Sequence, residues 1–238
     1  LRRLRPRRIV VVGGPQVVSD TVVAQLATFT TGPVVRIAGA DRYATSARIS
    51  ASTFGPGVSA AYIATGLAFP DALAGAAAGA SYGAPILLTA RGAVPAPIAA
   101  ELARLKPRRI VVLGGDAVIS SGVQAALGRF APVRRLAGVD RIATSVQVSL
   151  DAFGAHEPTT IYIATGGGFP DALTGGPLAG QSPGPLLLAG NTLPTRVTDE
   201  IRRLNPSSVI ILGGTGVVPD VVVQQIRALF DNSTYSSH

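Results

Sequence analysis

The chain has 238 residues, 47% of them hydrophobic, and a formal net charge of +8 at pH 7. It contains no cysteine, which excludes disulfides, thiol catalysis and thiolate metal sites. The apolar runs are short, and none reaches the roughly 18 residues of a membrane span. We therefore expect a core-rich globular protein with no membrane span, whose positive charge comes almost entirely from arginine because Lys106 is the only lysine.

The chain opens with LRRLRPRRIVVVGG, a basic run followed by an apolar run, as in a secretory signal peptide. The apolar run is too short for a signal core, which needs roughly 7 to 15 residues. The same phrase returns as LARLKPRRIVVLGG and IRRLNPSSVIILGG, with the paired glycines beginning at Gly13, Gly114 and Gly213. The opening is thus one copy of a repeat of about a hundred residues, longer than a solenoid unit. It starts inside a repeat and without methionine, which predicts an excised fragment.

One full unit, residues 33–131, predicts four strands alternating with four helices. In chain order the strands are VVRIAG, SAAYIATG, APILLTA and RRIVVLGG, and the second and third helices open at Pro70 and at Pro95 or Pro97. Strands without alternation of apolar and polar residues are typical of parallel sheets covered on both faces. The predicted fold class is α/β, with tandem Rossmann- or flavodoxin-like modules, each a mostly parallel sheet flanked by helices.

The remaining segments follow from this unit. Residues 132–231 repeat its order, residues 1–32 supply only the final strand and helix of a preceding truncated module, and residues 232–238 predict a disordered tail. A lone strand and helix bury too little apolar surface to be stable. We therefore expect the opening strand to be buried against a neighbouring unit or another chain, which offers a route to self-association through the truncated module.

Several kinds of active site are disfavoured. The residues after Gly13 and Gly14 lack the GxGxxG fingerprint of dinucleotide sites, and no GK[ST] is present for a P-loop. The pattern GxSxG occurs twice, at residues 79–83 and 180–184, but it closes a helix instead of following a strand as in hydrolases. The two histidines, His156 and His238, do not recur between units. We expect no catalytic residue, no cofactor, no metal and no nucleic-acid partner.

Two motifs recur almost unchanged, GADRYATS as GVDRIATS and YIATGLAFPDALAG as YIATGGGFPDALTG. Both follow predicted strands, so their aspartates fall at helix N-termini on the carboxyl edge of the sheet, where ligands of open α/β folds usually bind. An aspartate there also caps free N–H groups and complements the helix dipole. The sequence favours this mainly structural role.

These motifs, followed by [AG]-P-[IL]-L-L and [VI]-[LV]-G-G, cover residues 2–230 and resemble the cell wall-binding repeat 2 family. The resemblance implies an extracellular, cell wall-associated, non-catalytic module that anchors surface proteins non-covalently to anionic, teichoic-acid-like polysaccharide, usually in tandem threes. This chain departs from that pattern in holding two modules and part of a third. The family-motif residues are Asp41, Arg42, Thr45, Gly66, Asp71, Pro85, Asp140, Arg141, Thr144, Gly166, Asp171 and Pro185.

Two alternatives stay open beside the wall anchor. One is a structural surface-layer or self-assembly module without carbohydrate recognition. The other is a cell wall hydrolase that uses Ser81 or Asp71.

Charge and topology disagree about where an anionic polymer binds. The carboxyl edge carries the motif aspartates, with only Arg42 and Arg141 as motif cations, whereas the amino edge gathers most of the basic residues. Cations repeated along an edge suit a polyanion, because weak contacts add by multivalency. We hypothesise a basic rim on the amino edge formed by Arg5, Arg7, Arg8, Arg36, Arg104, Lys106, Arg108, Arg109, Arg134, Arg135, Arg202 and Arg203.

Overall fold

A computed structural model describes residues 1–67, 70–154, 158–168 and 170–231. The predicted tail at 232–238, with His238, and also His156 lie outside these residues. The strands are β1 (Ile9–Val12), β2 (Val34–Ile37), β3 (Ala61–Thr65), β4 (Ile86–Thr89), β5 (Ile110–Leu113), β6 (Val133–Leu136), β7 (Thr160–Thr165), β8 (Leu186–Ala189) and β9 (Ser208–Leu212). The helices are α1 (Asp20–Ala27), α2 (Arg42–Thr53), α3 (Pro70–Tyr82), α4 (Ala96–Leu105), α5 (Ser121–Leu127), α6 (Arg141–Ala152), α7 (Pro170–Gln181), α8 (Thr195–Leu204) and α9 (Asp220–Asp231).

The strands pair in parallel, and the fold is the α/β architecture of tandem modules that the sequence predicted. Helices cover both faces of the β4-β3-β5-β6 sheet. Residues of α4 and α5, such as Ile98 and Val123, pack on one face, and residues of α3 and α6, such as Ala74 and Val148, pack on the other. None of the described helices is long and apolar enough to cross a membrane.

The sheets are offset from the sequence repeats by one strand. Their orders are β1-β2, β4-β3-β5-β6 and β8-β7-β9. β2 and β6 open the two predicted full units, yet each pairs with the last strand of the unit before it, and β6 runs in register with β5 from Ile110↔Val133 to Leu113↔Leu136. The opening strand of one repeat therefore completes the sheet of the preceding repeat, and the predicted boundary at residues 131–132 separates two strands of one sheet.

The opening strand β1 docks on the neighbouring unit, as expected, in register from Ile9↔Val34 to Val12↔Ile37. Its expected burial is wrong, because only Val11 is buried, whereas Val10 and Val12 are 44% and 51% exposed. The reason is that β1 has a paired strand on only one edge among the described residues, and that α1 contributes no buried residue.

Helix α3 joins the two repeats. Its Ala74 and Ala78 pack on the sheet of their own repeat, while Leu73 and Ala77 lie in a buried cluster with Tyr162 and other residues of the next repeat. The hydroxyl of Ser81 donates to the carbonyl of Ala179 at 3.2 Å and accepts from the amide of Gly184 at 3.3 Å. Ser81 thus binds one repeat to the other, a setting unlike the exposed strand-to-helix turn of a hydrolase nucleophile.

Candidate functional site

The two repeated motifs meet in a pocket of about 260 Å³ at the carboxyl edge of the β4-β3-β5-β6 sheet. Asp71, at the start of α3, forms one side, and the turn at residues 115–118 after β5 forms the second. Residues 138–141 and Thr144, after β6, form the third side. Because β6 opens the following repeat, this motif pocket is built from two consecutive repeats.

The aspartates of the DR motif hold their loops against the helices that follow. The carboxylate of Asp140 accepts from the Ala143 amide at 2.7 Å at the N-terminus of α6, and Asp41 accepts from Ala44 at 2.7 Å in α2. The threonine hydroxyls close the same loops, since Thr144 accepts from the amide of Gly138 at 3.1 Å and Thr45 from that of Gly39 at 2.9 Å.

The motif arginines tie these loops to the next strand in the chain. Arg141 donates to the carbonyl of Gly166 at 2.7 Å, just after β7, and Arg42 donates to the carbonyl of Gly66, just after β3. Much of the hydrogen-bonding capacity of the motif is therefore used inside the protein.

The motif prolines lie at the other end of the sheet. The carbonyls of Pro85 and Pro185 accept from the amides of Tyr62 and Tyr162 at 2.9 Å, where β4 and β8 begin. These prolines set the start of a strand and are remote from the motif pocket.

Asp71 explains why glycine follows β5. Gly114 has a φ of +95°, and a Cβ there would lie 2.4 Å from a carboxylate oxygen of Asp71. Gly213 and Asp171 repeat the arrangement in the next unit, with a φ of +114° and a distance of 2.8 Å. The first glycine of the paired-glycine motif thus leaves room for the carboxylate of its own repeat, a role that sequence reasoning missed although both residues recur together.

The carboxyl group of Asp71 is partly buried in the motif pocket. Burial raises its pKa above the ordinary value, whereas the hydroxyl of Thr144 and the charge of Arg141 act in the opposite direction. Both opposing groups come from the following repeat, so docking of the two repeats sets the electrostatics of this carboxyl.

Two members of the hypothesised basic rim neutralise buried carboxylates. Arg104 binds Glu101 at 2.7 Å and Arg203 binds Glu200 at 2.7 Å, and the glutamate side chains are only 5% and 3% exposed. The carboxylate of Glu101 also accepts from the hydroxyl of Ser50 at 2.5 Å. These arginines brace α2 against α4 and α6 against α8.

Arg109 and Arg134 share a third buried carboxylate. They approach Asp151 of α6 at 3.0 and 2.7 Å, and the side chain of Asp151 is 1% exposed. This pair joins the amino ends of β5 and β6 to the helix that packs beneath them.

Arg36 and Arg135 do not lie on the amino edge, so the prediction that placed them there is wrong. Arg36 donates to the carbonyl of Gly13 at 2.6 Å, and Arg135 donates to that of Gly114 at 2.7 Å. Each arginine is the third residue of its strand, and its long side chain reaches the glycine turn at the carboxyl end of the adjacent strand.

The other rim residues are exposed. Arg202 pairs with Asp199, which is also exposed, at 3.4 Å. Within the described residues, five make no ion pair, and we call them the amino-edge cations: Arg5, Arg7, Arg8, Lys106 and Arg108.

The third copy of the repeat lacks these charges. Asn205 and Ser207 stand where Lys106 and Arg108 stand in the second copy. Lys106 and Asn205 have the same left-handed backbone, with φ of 46° and 43°, so the exchange of side chain leaves the chain path unchanged. The two copies therefore differ in charge at this position while the backbone conformation stays the same.

The model of the cell wall binding domain 2 (CWB2) family matches residues 36–124 and 135–223. The chain belongs to this family. The two matched stretches begin within β2 and β6 and end in the helices after β5 and β9, so each CWB2 match spans two sheets.

Two Bacillus subtilis (strain 168) proteins resemble this CWB2 chain. N-acetylmuramoyl-L-alanine amidase LytC is 28% identical over 95% of the chain, which covers 44% of the amidase. The protein named amidase enhancer is 29% identical over 81% of the chain, which covers 26% of that protein. The chain thus spans less than half the length of either relative.

Solved structures from Clostridium difficile share the fold. Cwp8 matches 96% of the chain with a TM-score of 0.82 and 26% identity, and the match covers 39% of Cwp8. Cwp6 matches 81% of the chain with a TM-score of 0.73 and 28% identity, and the match covers 31% of Cwp6.

The N-cap geometry predicts the effect of removing a motif aspartate. Asp140→Ala should lower the free energy of unfolding by about 0.5 to 2 kcal/mol, because α6 loses its cap. Asp140→Asn is the matched control, since asparagine caps as well as aspartate but carries no charge. Urea denaturation of both variants checks this. Unchanged stability of Asp140→Ala together with lost binding to purified walls would instead make the loop a ligand contact.

The raised pKa of Asp71 predicts a pH-dependent effect. A folded-state pKa above the unfolded value means that the folded protein holds this proton more tightly, so ionisation costs stability at neutral pH. Asp71→Asn should therefore be more stable than wild type at pH 7, and the difference should vanish below about pH 4, where an ordinary aspartate is protonated. Urea denaturation at both pH values measures it.

The matched control is Asp116→Asn, which removes an exposed carboxylate from the turn beside the same pocket. If Asp71→Asn were less stable than wild type at pH 7, the interactions of the ionised Asp71 with Thr144 and Arg141 would outweigh the cost of burial.

Proposed function

We propose that this CWB2 chain holds an extracellular protein non-covalently on the bacterial cell wall by binding an anionic, teichoic-acid-like polysaccharide, without chemistry of its own. Membership of the CWB2 family supports the wall as the partner. The observation that supports a polyanion as the ligand is the set of amino-edge cations, which are exposed and make no ion pair among the described residues.

The internal ion pairs reduce the number of basic-rim residues that are available to bind a polymer. Arg104, Arg109, Arg134 and Arg203 each face a buried carboxylate. Withdrawing Arg104 or Arg203 to bind a polymer would leave its glutamate uncompensated, at a cost of about 1 to 3 kcal/mol or more. Withdrawing Arg109 or Arg134 would leave the buried Asp151 with one arginine instead of two. These four arginines therefore stabilise the fold, and we assign the polymer contacts to the amino-edge cations.

The amino-edge cations suit a flexible polyanion. Arg5, Arg7 and Arg8 belong to one copy of the repeat, and Lys106 and Arg108 to the next, so the charges recur at the amino ends of β1 and β5, the corresponding strands of two sheets. Single exposed contacts are weak, but contacts with successive charges of one polymer add through effective concentration. Because exposed charges are screened by salt, binding should weaken as ionic strength rises.

The double variant Lys106→Asn/Arg108→Ser tests this assignment, since it installs the residues of the third copy at these positions. At roughly 0.3 to 1 kcal/mol per exposed contact, affinity for purified walls should fall about three- to thirtyfold. The dependence of binding on salt should become shallower. Sedimentation of the protein with walls across a salt series measures both effects.

The matched control is Arg91→Gln/Arg196→Gln, which removes two positive charges near the motif pocket, at the opposite end of the sheets. A larger loss of affinity in this control than in the test variant would place the polymer at the motif pocket.

Walls stripped of anionic polymer should release the wild-type protein. Full retention on stripped walls would contradict the proposal and favour the surface-layer alternative.

A further inference from the structure

A small pocket of about 130 Å³ opens at the amino edge of the β4-β3-β5-β6 sheet. Its walls come from the start of β3, the end of α3, the residue before β5 and the end of α6. The pocket therefore lies where α6 of the following repeat packs on the first full repeat. We call it the Arg109 pocket, and its lining includes Ala60, Tyr62, Tyr82, Ala84, Arg109 and Ala152.

The hydroxyl of Tyr62 is an unused hydrogen-bonding group in this pocket. The side chain is 1% exposed, and its hydroxyl forms no hydrogen bond with a described residue. The hydroxyl is not sealed in the core, because a carboxylate oxygen of Asp151 is the one side-chain atom of the described residues that is both buried and without a hydrogen bond. The Tyr62 hydroxyl therefore opens into the pocket that its side chain lines.

The equivalent tyrosine of the next repeat has a partner inside the protein. The hydroxyl of Tyr162 donates to the carbonyl of Ser182 at 2.9 Å. Ser182 and Ser208 stand where Tyr82 and Arg109 stand in the first full repeat. A buried hydroxyl without a partner costs stability, so the arrangement at Tyr62 favours an acceptor from outside the chain. Burial raises the pKa of Tyr62 to about 12, which keeps this hydroxyl protonated and able to donate at neutral pH.

Arg109 brings positive charge to the same pocket. Its hydrogen bond to Asp151 uses Nη1, and its Nε and Nη2 donate to no described residue. Arg134 approaches the same carboxylate at 2.7 Å. Two guanidinium groups thus share one carboxylate, which leaves one positive charge in excess among these three residues. Arg109 can therefore bind a ligand through its remaining N–H groups without leaving Asp151.

The rest of the pocket limits the ligand to a small group with an apolar side. The methyl groups of Ala60, Ala84 and Ala152 and the ring of Tyr82, which is 41% exposed, form the apolar part of the lining. α3 ends at Tyr82 and α6 ends at Ala152, and the partial negative charge at helix C-termini disfavours an anion. The charge of Arg109 is therefore what allows an anionic group to bind here.

We propose that the Arg109 pocket binds the carboxylate of a small sugar acid. Arg109 and Tyr62 donate hydrogen bonds to the carboxylate, and the carbon skeleton lies against Tyr82 and the alanine methyl groups. A carboxylate matches the single excess charge, whereas a phosphomonoester brings close to two negative charges. Few polar groups in an apolar lining are the usual design of a small-molecule site.

The source of this sugar acid is either a residue of the wall polymer or a free acid. We favour the wall polymer, because the pocket opens on the edge that carries Lys106 and Arg108. This choice of source rests on the proposed function, whereas the pocket and its ligand chemistry do not.

Titration of the ¹⁵N-labelled chain with D-glucuronate tests the site without any wall material. The signal of the Arg109 Nε–H group, identified by its loss in Arg109→Gln, should shift and saturate. D-glucose, which has no carboxylate, should leave it in place, and inorganic phosphate should bind more weakly than glucuronate. An unmoved signal, an equal shift with glucose or tighter binding of phosphate overturns the proposal.

Tyr62→Phe separates binding from stability. It removes a hydroxyl that has no partner in the described protein, so the variant should be at least as stable as wild type. Its affinity for glucuronate should fall about tenfold, because it loses a hydrogen bond to a charged group. Tyr162→Phe is the matched control, since it should lose stability and bind glucuronate like wild type. Wild-type affinity in Tyr62→Phe overturns the proposal.

A second pair of variants tests the charge. Arg109→Gln and Arg134→Gln each leave Asp151 with one arginine, but the described lining of the pocket contains only Arg109. Arg109→Gln should abolish glucuronate binding, whereas Arg134→Gln should retain it. Equal losses in the two variants overturn the assignment of Arg109. If Arg109→Gln fails to fold, Tyr62→Phe decides alone.

Sedimentation with purified walls identifies the source of the ligand. If the wall polymer supplies the sugar acid, Tyr62→Phe should bind walls more weakly than wild type, and free glucuronate should compete with the walls. If Tyr62→Phe binds walls like wild type while it loses glucuronate, the site stands and its ligand is a free acid. A wild type that binds glucuronate but no walls contradicts the proposed function and supports the site.

Discussion

The parallel pairing of β5 with β6 is the interaction on which the rest of the structure depends. It attaches the opening strand of one repeat to the sheet of the repeat before it. It buries Leu136 in the core of the preceding repeat and lets Arg135 bind the carbonyl of Gly114. It also carries Asp140 and its loop to the pocket that Asp71 lines. Two repeats that merely touched would not share either the core or the pocket.

The arginines divide between holding this arrangement and facing solvent. Arg134, on β6, pairs with the buried Asp151 of α6, and Arg104 pairs with the buried Glu101 of α4. Buried carboxylates of this kind are costly unless they are paired. Lys106 and Arg108 sit beside such arginines in sequence but bind no described carboxylate, which frees their charge for a partner. Neighbouring cations in one basic segment thus differ in role, because some pair with a buried carboxylate and others face solvent.

Local patterns predicted the elements, and long-range contacts decided what the sequence alone did not show. Apolar runs that end in glycine predicted the strands, and Pro70 predicted the start of α3. Which repeat a strand joins depends on pairing across distant segments, so the offset of β6 was not visible in its own residues. The recurrence of Asp71 with Gly114 was visible, but its cause is a close approach in space. Likewise, the basic run predicted charge but not the buried partner of Arg104.

Differential scanning calorimetry of the wild-type chain tests the shared sheet most directly. If β6 belongs to the core of the preceding repeat, neither repeat can unfold without disrupting the other. The two repeats should then melt in a single transition whose calorimetric and van't Hoff enthalpies agree. Two separate transitions, each with the enthalpy of one repeat, would show that the repeats fold independently and would contradict this account.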